Sequence, residues 1–491
     1  MREYAEAALG LLPRDVEYAD VRVVHRTHEL VLVEHDGPGE VALNDSTGLG
    51  LRVMVDGVWG FAATHRLDRA GLADVVTQAV GQARAAAQGA PAARRSIADR
   101  LGPPVTTRTR WRSPAEVDPF TVSLASKVDL LAAAVAEAST AGPMVQRVEA
   151  SMDFFRDDKV FANTEGALIE QTITESGAGL LVIASDGNDV QRRSYPQSVP
   201  RSIRGQRGDF ATAGYEHIPS LRLPEEAARV GAEAVALLTA PVCPDETTTL
   251  VISGTQLALL LHETAGHPME ADRALGAEAS LAGGTYAAPE RRGTLRFGAP
   301  IVSVVADATV TGGLGSYGYD DEGVAAQRTD LIRDGVFVGY LSGRESAAEL
   351  GETSSGAARA DGWQRAPLVR MTNLCLLPGD SSLPEMIETT KRGVLIDMNK
   401  SLSIDDQRMS FRFGAEVGWE IRDGQLGRML KNCTYTGVTP QLWAGCDALG
   451  NATEYRIHGI PSCNKGEPLQ VAHIGHGTVP ARFRDVRVGA R

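Results

Sequence analysis

The sequence contains no C-x-x-C, and its cysteines are few and scattered. Five occur, Cys243, Cys375, Cys433, Cys446 and Cys463, an odd number at irregular spacing. This argues against a disulfide framework and fits reduced thiols in a cytoplasm. Long apolar runs are missing too. The longest, such as LALLL and GLLVIA, fall far short of the ~20 residues a spanning helix needs, so no membrane association is expected. The N-terminus, MREYAEAALG, lacks an apolar stretch of signal-peptide length. Nor is there a run of lysine and arginine. With a net charge of −13, no surface that neutralises nucleic-acid phosphates is expected. The acidic balance serves solubility.

What is present reads as a folded protein. The 43% hydrophobic and 23% charged fractions are ordinary for a globular chain. At 491 residues the chain is too long for one core, so two or three domains are expected. Residues 3–12 read as a short helix. From 18 to 64 the text changes to β-rich runs, with Asp-Gly at 36–37 and 56–57 as hairpin signals. Helical patterns follow at 68–88, 118–139 and 224–239. Between them lie a linker-like segment, GAPAARRSIADRLGPP, and a β region over 145–193. The prolines of PVCPDE suggest a boundary. The rest is β-rich except near 254–266 and 383–393, and no repeat is evident. The expected fold class is α+β with two domains: a sheet-plus-helices domain over 1–240 and a β-dominated, barrel-like domain over 241–491.

One stretch carries chemistry: ALLLHETAGHPMEADR, residues 258–273. His262, Glu263 and His267 have the composition of a zinc helix, but as H-E-x-x-x-H rather than H-E-x-x-H. The strand-like TTTLVIS leads into a capping box, with Ser253 at N-cap and Gln256 at N3. On a regular helix, residues five apart lie about 140° apart, so both imidazoles cannot reach one ion. A π-type widening, or an end to the helix after His262, would bring them together. Gly266 and Pro268 favour such a distortion: glycine permits unusual dihedrals, and proline disfavours α geometry before it. On this reading His262 and His267 bind zinc as neutral imidazoles, and Glu263 takes a proton from the attacking water. The plain alternative is two ordinary histidines at a helix end, with Glu263 in a surface ion pair. Catalytic zinc usually has three protein ligands. Candidates for the third are Cys433, Cys446, His458, Cys463, His473 and His476, and spacing does not choose among them.

HETAGHPMEAD, with Glu270 and Asp272, resembles the zinc motif of the TldD/PmbA family. The resemblance extends through GLGLRVMVDGVWGFAAT, ANTEG (162–166), GSYGYDDEG (315–323), DGVFVGYLSGRESA (334–347) and RMTNLCLLPGD (370–380) to the tail, GIPSCNKGEPLQVAHIGHGTVP. The tail match selects Cys463 as third ligand over His473 and His476. The resemblance implies a cytoplasmic metallopeptidase with one Zn2+ per chain and Glu263 as general base. It implies action on unfolded or extended peptides, in a homodimer or in a heterodimer with a motif-less family member. It also carries associations with peptide-antibiotic maturation, antitoxin degradation and gyrase modulation. A dedicated peptidase or amidase acting on a natural-product intermediate is an alternative, suggested by the arginine- and alanine-rich composition. A non-catalytic partner or regulatory subunit is another. Where the family's catalytic chains have a glycine-rich stretch, this one reads DMNKSLSIDDQRMSFRF (397–413), which points to a different substrate groove or partner surface.

Other signals carry less. GLGSYG (313–318) matches G-x-G-x-x-G, but no helix start follows, so a turn between strands is expected. Asp320, Asp321 and Glu322 read as an exposed acidic turn rather than a cation site. Ser316 and Ser342 lack the context of a serine nucleophile.

Overall fold

Alternation along the first strand organises the N-terminal half. The computed structural model describes residues 1–35, 37–89, 96–198, 208–281 and 283–489. Eight strands form one sheet: β1 (Tyr18–Glu34), β2 (Gly37–Val55), β3 (Val58–Thr64), β4 (Arg108–Arg112), β5 (Val145–Asn163), β6 (Leu168–Ser185), β7 (Val190–Tyr195) and β8 (Asp209–Ala211). Their order is β3-β2-β1-β5-β6-β4, with β7 and β8 also on β6. Side chains alternate between faces along a strand. Ala19, Val21, Val23, Val31 and Val33 of β1 therefore share a face with Val148, Ala150, Met152 and Phe154 of β5. Helices α1 (Arg2–Gly10) and α2 (Arg69–Ala87) cover one end of this apolar face. After the short α3 (Ile97–Leu101), helix α4 (Leu124–Ser139), the short α5 (His217–Ser220) and helix α6 (Leu223–Thr239) cover the other end. Asp56 and Gly57 both take positive φ, 49° and 73°, as the Asp-Gly turn requires. The other Asp-Gly includes Asp36, and the 89–104 segment includes 90–95; both fall partly outside the described residues. Within that segment, α3 occupies part of what the sequence suggested was linker, started by a capping box at Ser96.

The opposite face of the sheet is polar, carrying Asp20, Arg22, His28, Asp153 and Asp157, all buried. Alternation alone would send such a face to water. Instead it is covered by the C-terminal half. Arg52 of β2 pairs with Asp20 and reaches Glu322 at 3.1 Å. Lys159 meets Asp321 at 3.4 Å. The Arg344 guanidinium donates to Leu101 O and Pro103 O at 3.0 Å and pairs with Glu165 at 3.0 Å. The acidic turn 320–322 is therefore buried at 2–5% exposure, against the expectation of an exposed one. Burying charges is tolerated only where they are paired and hydrogen-bonded. The partners lie on β2 and β5 and in backbone amides; Ala360 N donates to Asp321 at 2.8 Å.

The C-terminal half begins with β9 (Glu246–Ile252) and helix α7 (Gly254–Leu261). Strands β10 (Val304–Asp307), β11 (Arg328–Arg333), β12 (Val336–Phe337), β13 (Ala358–Arg359), β14 (Leu368–Val369) and β15 (Asn373–Leu376) follow. Next come β16 (Arg392–Ile404), β17 (Ser410–Arg422), β18 (Gln425–Leu430), β19 (Thr434–Val438), β20 (Cys446–Leu449), β21 (Arg456–Lys465), β22 (Gln470–Thr478) and β23 (Ala481–Val488). The ring β16-β9-β23-β19-β17 closes because β16 also pairs β17, giving a barrel. A separate sheet runs β12-β11-β10-β15-β22-β21. The fold class is thus α+β, with a barrel in the C-terminal region. GLGSYG is a turn between β10 and β11, as expected. The helix expected over 383–393 is shorter, Leu383–Glu388, because Arg392 already starts β16 and Gly393 onward pairs with both β9 and β17.

Candidate metal centre

From Leu257 on, helix α7 is apolar all round, and every residue from Gln256 to Leu261 is buried. Such a helix must lie inside the protein, and it contacts β16 of the barrel and the β21–β22 hairpin. Ser253 caps it by accepting from Gln256 N. The expected capping box is only half formed. The Ser253 N–H is already taken by Ile396 O, and the Gln256 amide donates to Tyr435 Oη at 3.1 Å.

At His262 the helix changes. Residues His262–Gly266 form one π turn, with His267 N donating to His262 O, and His267–Met269 form a 3₁₀ turn containing Pro268. Both routes anticipated for the extra residue are used together, a widening and an end to regular α geometry. Thr264 anchors the widened turn: its hydroxyl bonds Leu260 O and Trp443 Nε1, and its carbonyl accepts from Tyr286 Oη at 2.6 Å. Gly266 has an ordinary helical φ of −68°, so its unusual dihedrals are not what is needed. The requirement is space, since a Cβ there would lie 2.1 Å from Met371 Sδ. Gly266→Ala is expected to cost about 1–3 kcal/mol as overpacking. Chemical denaturation checks this, and an unchanged midpoint would refute the steric account.

The distortion brings three side chains together. His262 Nε2 and His267 Nε2 are 3.2 Å apart, and Cys463 Sγ lies 3.6 and 3.7 Å from them. All three residues are buried. A tetrahedral zinc site with ordinary bond lengths places two nitrogens about 3.3 Å apart and nitrogen and sulfur about 3.6 Å apart. The spacing fits such an ion. His267 Nδ1 is 2.9 Å from Glu270 Oε2; a carboxylate accepts, so this nitrogen carries the proton and Nε2 presents a lone pair. That lone pair faces another imidazole nitrogen and a sulfur, an arrangement a cation stabilises. His262 Nδ1 meets His476 Nε2 at 2.9 Å. Of the other third-ligand candidates, His476 therefore backs His262. His473 turns to the opposite side and meets Glu175 at 2.5 Å. His458 lies opposite His476 on β21, and Cys433 and Cys446 bond backbone carbonyls elsewhere.

The surroundings suit ligand chemistry. Burial holds the His262 imidazole below its ordinary pKa, which keeps it neutral. Burial pushes the Cys463 thiol up, but His267 and Arg370 outweigh it, so the net shift is toward thiolate. Burial also opposes ionisation of Glu270, yet Lys465, His267 and Arg273 hold it well below the carboxylate range. Lys465 Nζ joins Glu270 at 3.1 Å, Asp272 at 2.7 Å and Val369 O at 2.7 Å. Arg370 Nη2 donates to Cys463 O at 2.6 Å and braces the hairpin. Glu263 is buried and pairs with Arg408. Burial raises its pKa, but Arg408 and the imidazoles bring it below the ordinary value. It is not in the surface pair of the plain alternative. Sequence reading missed Arg408, Lys465, Arg370 and Arg273. Arg273 and Lys465 are charges close in sequence to the motif and to Cys463, whereas Arg370 and Arg408 carried no local signal. A cavity of about 60 Å³ at the seam between the halves is lined by charges of both signs, among them Arg26, Lys159, Asp157 and Asp321, and by none of His262, Glu263, His267 and Cys463.

Three family models match the chain. They describe PmbA/TldA metallopeptidase domain 1 over 19–83, the central domain over 117–240 and the C-terminal domain over 245–489. The chain belongs to the PmbA/TldD metallopeptidase family. Its similarity to a curated metalloprotease of Methanothermobacter thermautotrophicus is 31% identity over 99% of this chain and 98% of that one. A metalloprotease TldD homolog of Haemophilus influenzae is 24% identical over 97% and 93%. The fold is similar to that of TldE from Thermococcus kodakarensis, with a TM-score of 0.74 at 15% identity and full coverage of both chains. As a PmbA/TldD member this chain is related to proteins named metalloproteases, which implies a metal ion. Among the described residues no helix is long and apolar enough to cross a membrane.

Proposed function

We propose that the chain is a zinc-dependent peptidase that hydrolyses amide bonds of extended peptides. One observation carries this reading: three ligand-type atoms meet in a buried position, with the buried carboxylate of Glu263 next to one of them in sequence. His262, His267 and Cys463 would hold the ion. The chemistry a zinc ion supplies when held there is Lewis acidity, polarising the scissile carbonyl and acidifying the attacking water. Glu263 takes a proton from that water as its oxygen bonds the carbonyl carbon. It delivers the proton to the departing nitrogen as the C–N bond breaks, leaving a carboxylate and an amine. Glu270 and His476 keep both imidazoles oriented, as hydrogen-bond partners of metal-binding histidines do. We place the substrate in an extended form, with a second copy or a motif-less family member completing the cleft.

Purified protein is expected to carry about one zinc per chain, and Cys463→Ala to lose most of it together with peptide cleavage. Elemental analysis and a peptide-hydrolysis assay check this, with circular dichroism to verify folding. Full zinc loading and turnover in the folded variant would overturn the ligand set.

A further inference from the structure

The turn joining β16 to β17 places a cation against the general base. Arg408 sits there with φ of 61°, in the left-handed region that non-glycine residues seldom occupy. Its backbone is held on both sides. Its N–H donates to Asp405 O at 2.9 Å, and its carbonyl accepts from Thr439 Oγ1 at 2.7 Å. The Asp405 carboxylate accepts from the next two amides at 2.8 Å. The side chain is 5% exposed, and its Nη1 contacts Glu263 Oε2. Its Nε is buried and has no hydrogen-bond partner among the described residues.

This pairing conflicts with the role given to Glu263. A guanidinium in contact occupies an oxygen that has to accept a proton from water. If Glu263 moves away, Arg408 is left as a buried, unpaired charge. Both problems are resolved if the substrate supplies an anion. Guanidinium binds carboxylates through two parallel N–H bonds, and Nε is free to make one of them.

We propose that Arg408 is the substrate-recognition cation of the site, exchanging Glu263 for a carboxylate of the peptide next to the scissile bond. This rests on the peptidase reading above. The carboxylate is a free C-terminus or an acidic side chain, and the substrates tested distinguish the two.

The test compares a peptide of neutral side chains as free acid and as C-terminal amide, and an amidated peptide with Glu next to the scissile bond. With zinc-loaded wild type, kcat/KM is expected to favour one carboxylate-bearing peptide over the neutral amide by at least about tenfold, mainly through KM. Arg408→Gln is expected to reduce that preference to within about twofold with unchanged zinc content, and Arg408→Lys to retain part of it. Binding of the same peptides to Glu263→Gln protein, measured by calorimetry, gives a readout without turnover. The same preference is expected there, and it is expected to be lost in the Glu263→Gln/Arg408→Gln double variant. Equal binding of acids and amide, or an equal fall on all three substrates in Arg408→Gln, would overturn the proposal. If wild type cleaves none of them, the peptidase reading fails, and the binding experiment still decides on Arg408.

Discussion

Glu263→Gln is expected to lower peptide hydrolysis by about 10³-fold while zinc content stays at the wild-type level. The two effects separate because Glu263 is not one of the three ligand-type atoms that converge. The substitution keeps the size of the side chain and leaves an oxygen to accept from Arg408, so the buried turn retains its contact. What is lost is the capacity to take up a proton. Steady-state kinetics on a cleaved peptide, with zinc measured on the same sample, is the check. Retention of more than about a tenth of wild-type turnover would remove Glu263 from the role of general base. Loss of zinc in a folded variant would show instead that the carboxylate supports the metal.

Lys465→Met should produce the largest change in stability, a loss of about 3–5 kcal/mol. Lys465 is fully buried and joins Glu270, Asp272 and the Val369 carbonyl. Removing its charge leaves two nearby carboxylates buried with Arg273 as their remaining cation, at 3.2 Å from Glu270. Glu270 also fixes the His267 ring, so zinc affinity is expected to fall about 10–100-fold. Equilibrium denaturation of the metal-free protein measures the first effect and competition with a chelator the second. A double variant, Lys465→Met with Asp272→Asn, removes one surplus negative charge and is expected to recover part of the stability, since residues in one network couple. Wild-type stability and zinc affinity in Lys465→Met would show that the buried cluster does not support the site.

Several motifs that carried the family resemblance lie away from the candidate metal site. Arg344 of SGRESA pairs with Glu165 of ANTEG across the seam between the two halves, and its backbone N–H donates to Glu322 of GSYGYDDEG at 2.6 Å. RMTNLCLLPGD contributes Arg370 to the Cys463 hairpin and Asn373 to the GLGSYG turn, where it accepts from Gly315 N at 2.8 Å. These segments join the halves and brace the hairpin, while the proposed chemistry is confined to His262, Glu263, His267 and Cys463. The segment 397–413 delivers Arg408 to Glu263.

What the sequence determined by itself was local. Gly266 and Pro268 called for a distorted turn after His262, and Asp56-Gly57 for a tight hairpin. The β-rich and helical segments followed from periodicity and turn residues. These depend on neighbours a few positions away, except that Gly266 proved necessary for its space against Met371, a contact that only the tertiary structure makes. Convergence and burial were decided by the tertiary structure. Cys463 reaches His267 across 196 residues and Arg408 reaches Glu263 across 145. The acidic turn 320–322 read as solvent-exposed by pattern, yet it and the polar face of the N-terminal sheet are covered. They are buried because Arg52 pairs with Glu322 over 270 residues and Lys159 with Asp321 over 162. Whether a charge lies in water or against a counter-ion depends on strands far away in the chain, which no local pattern records.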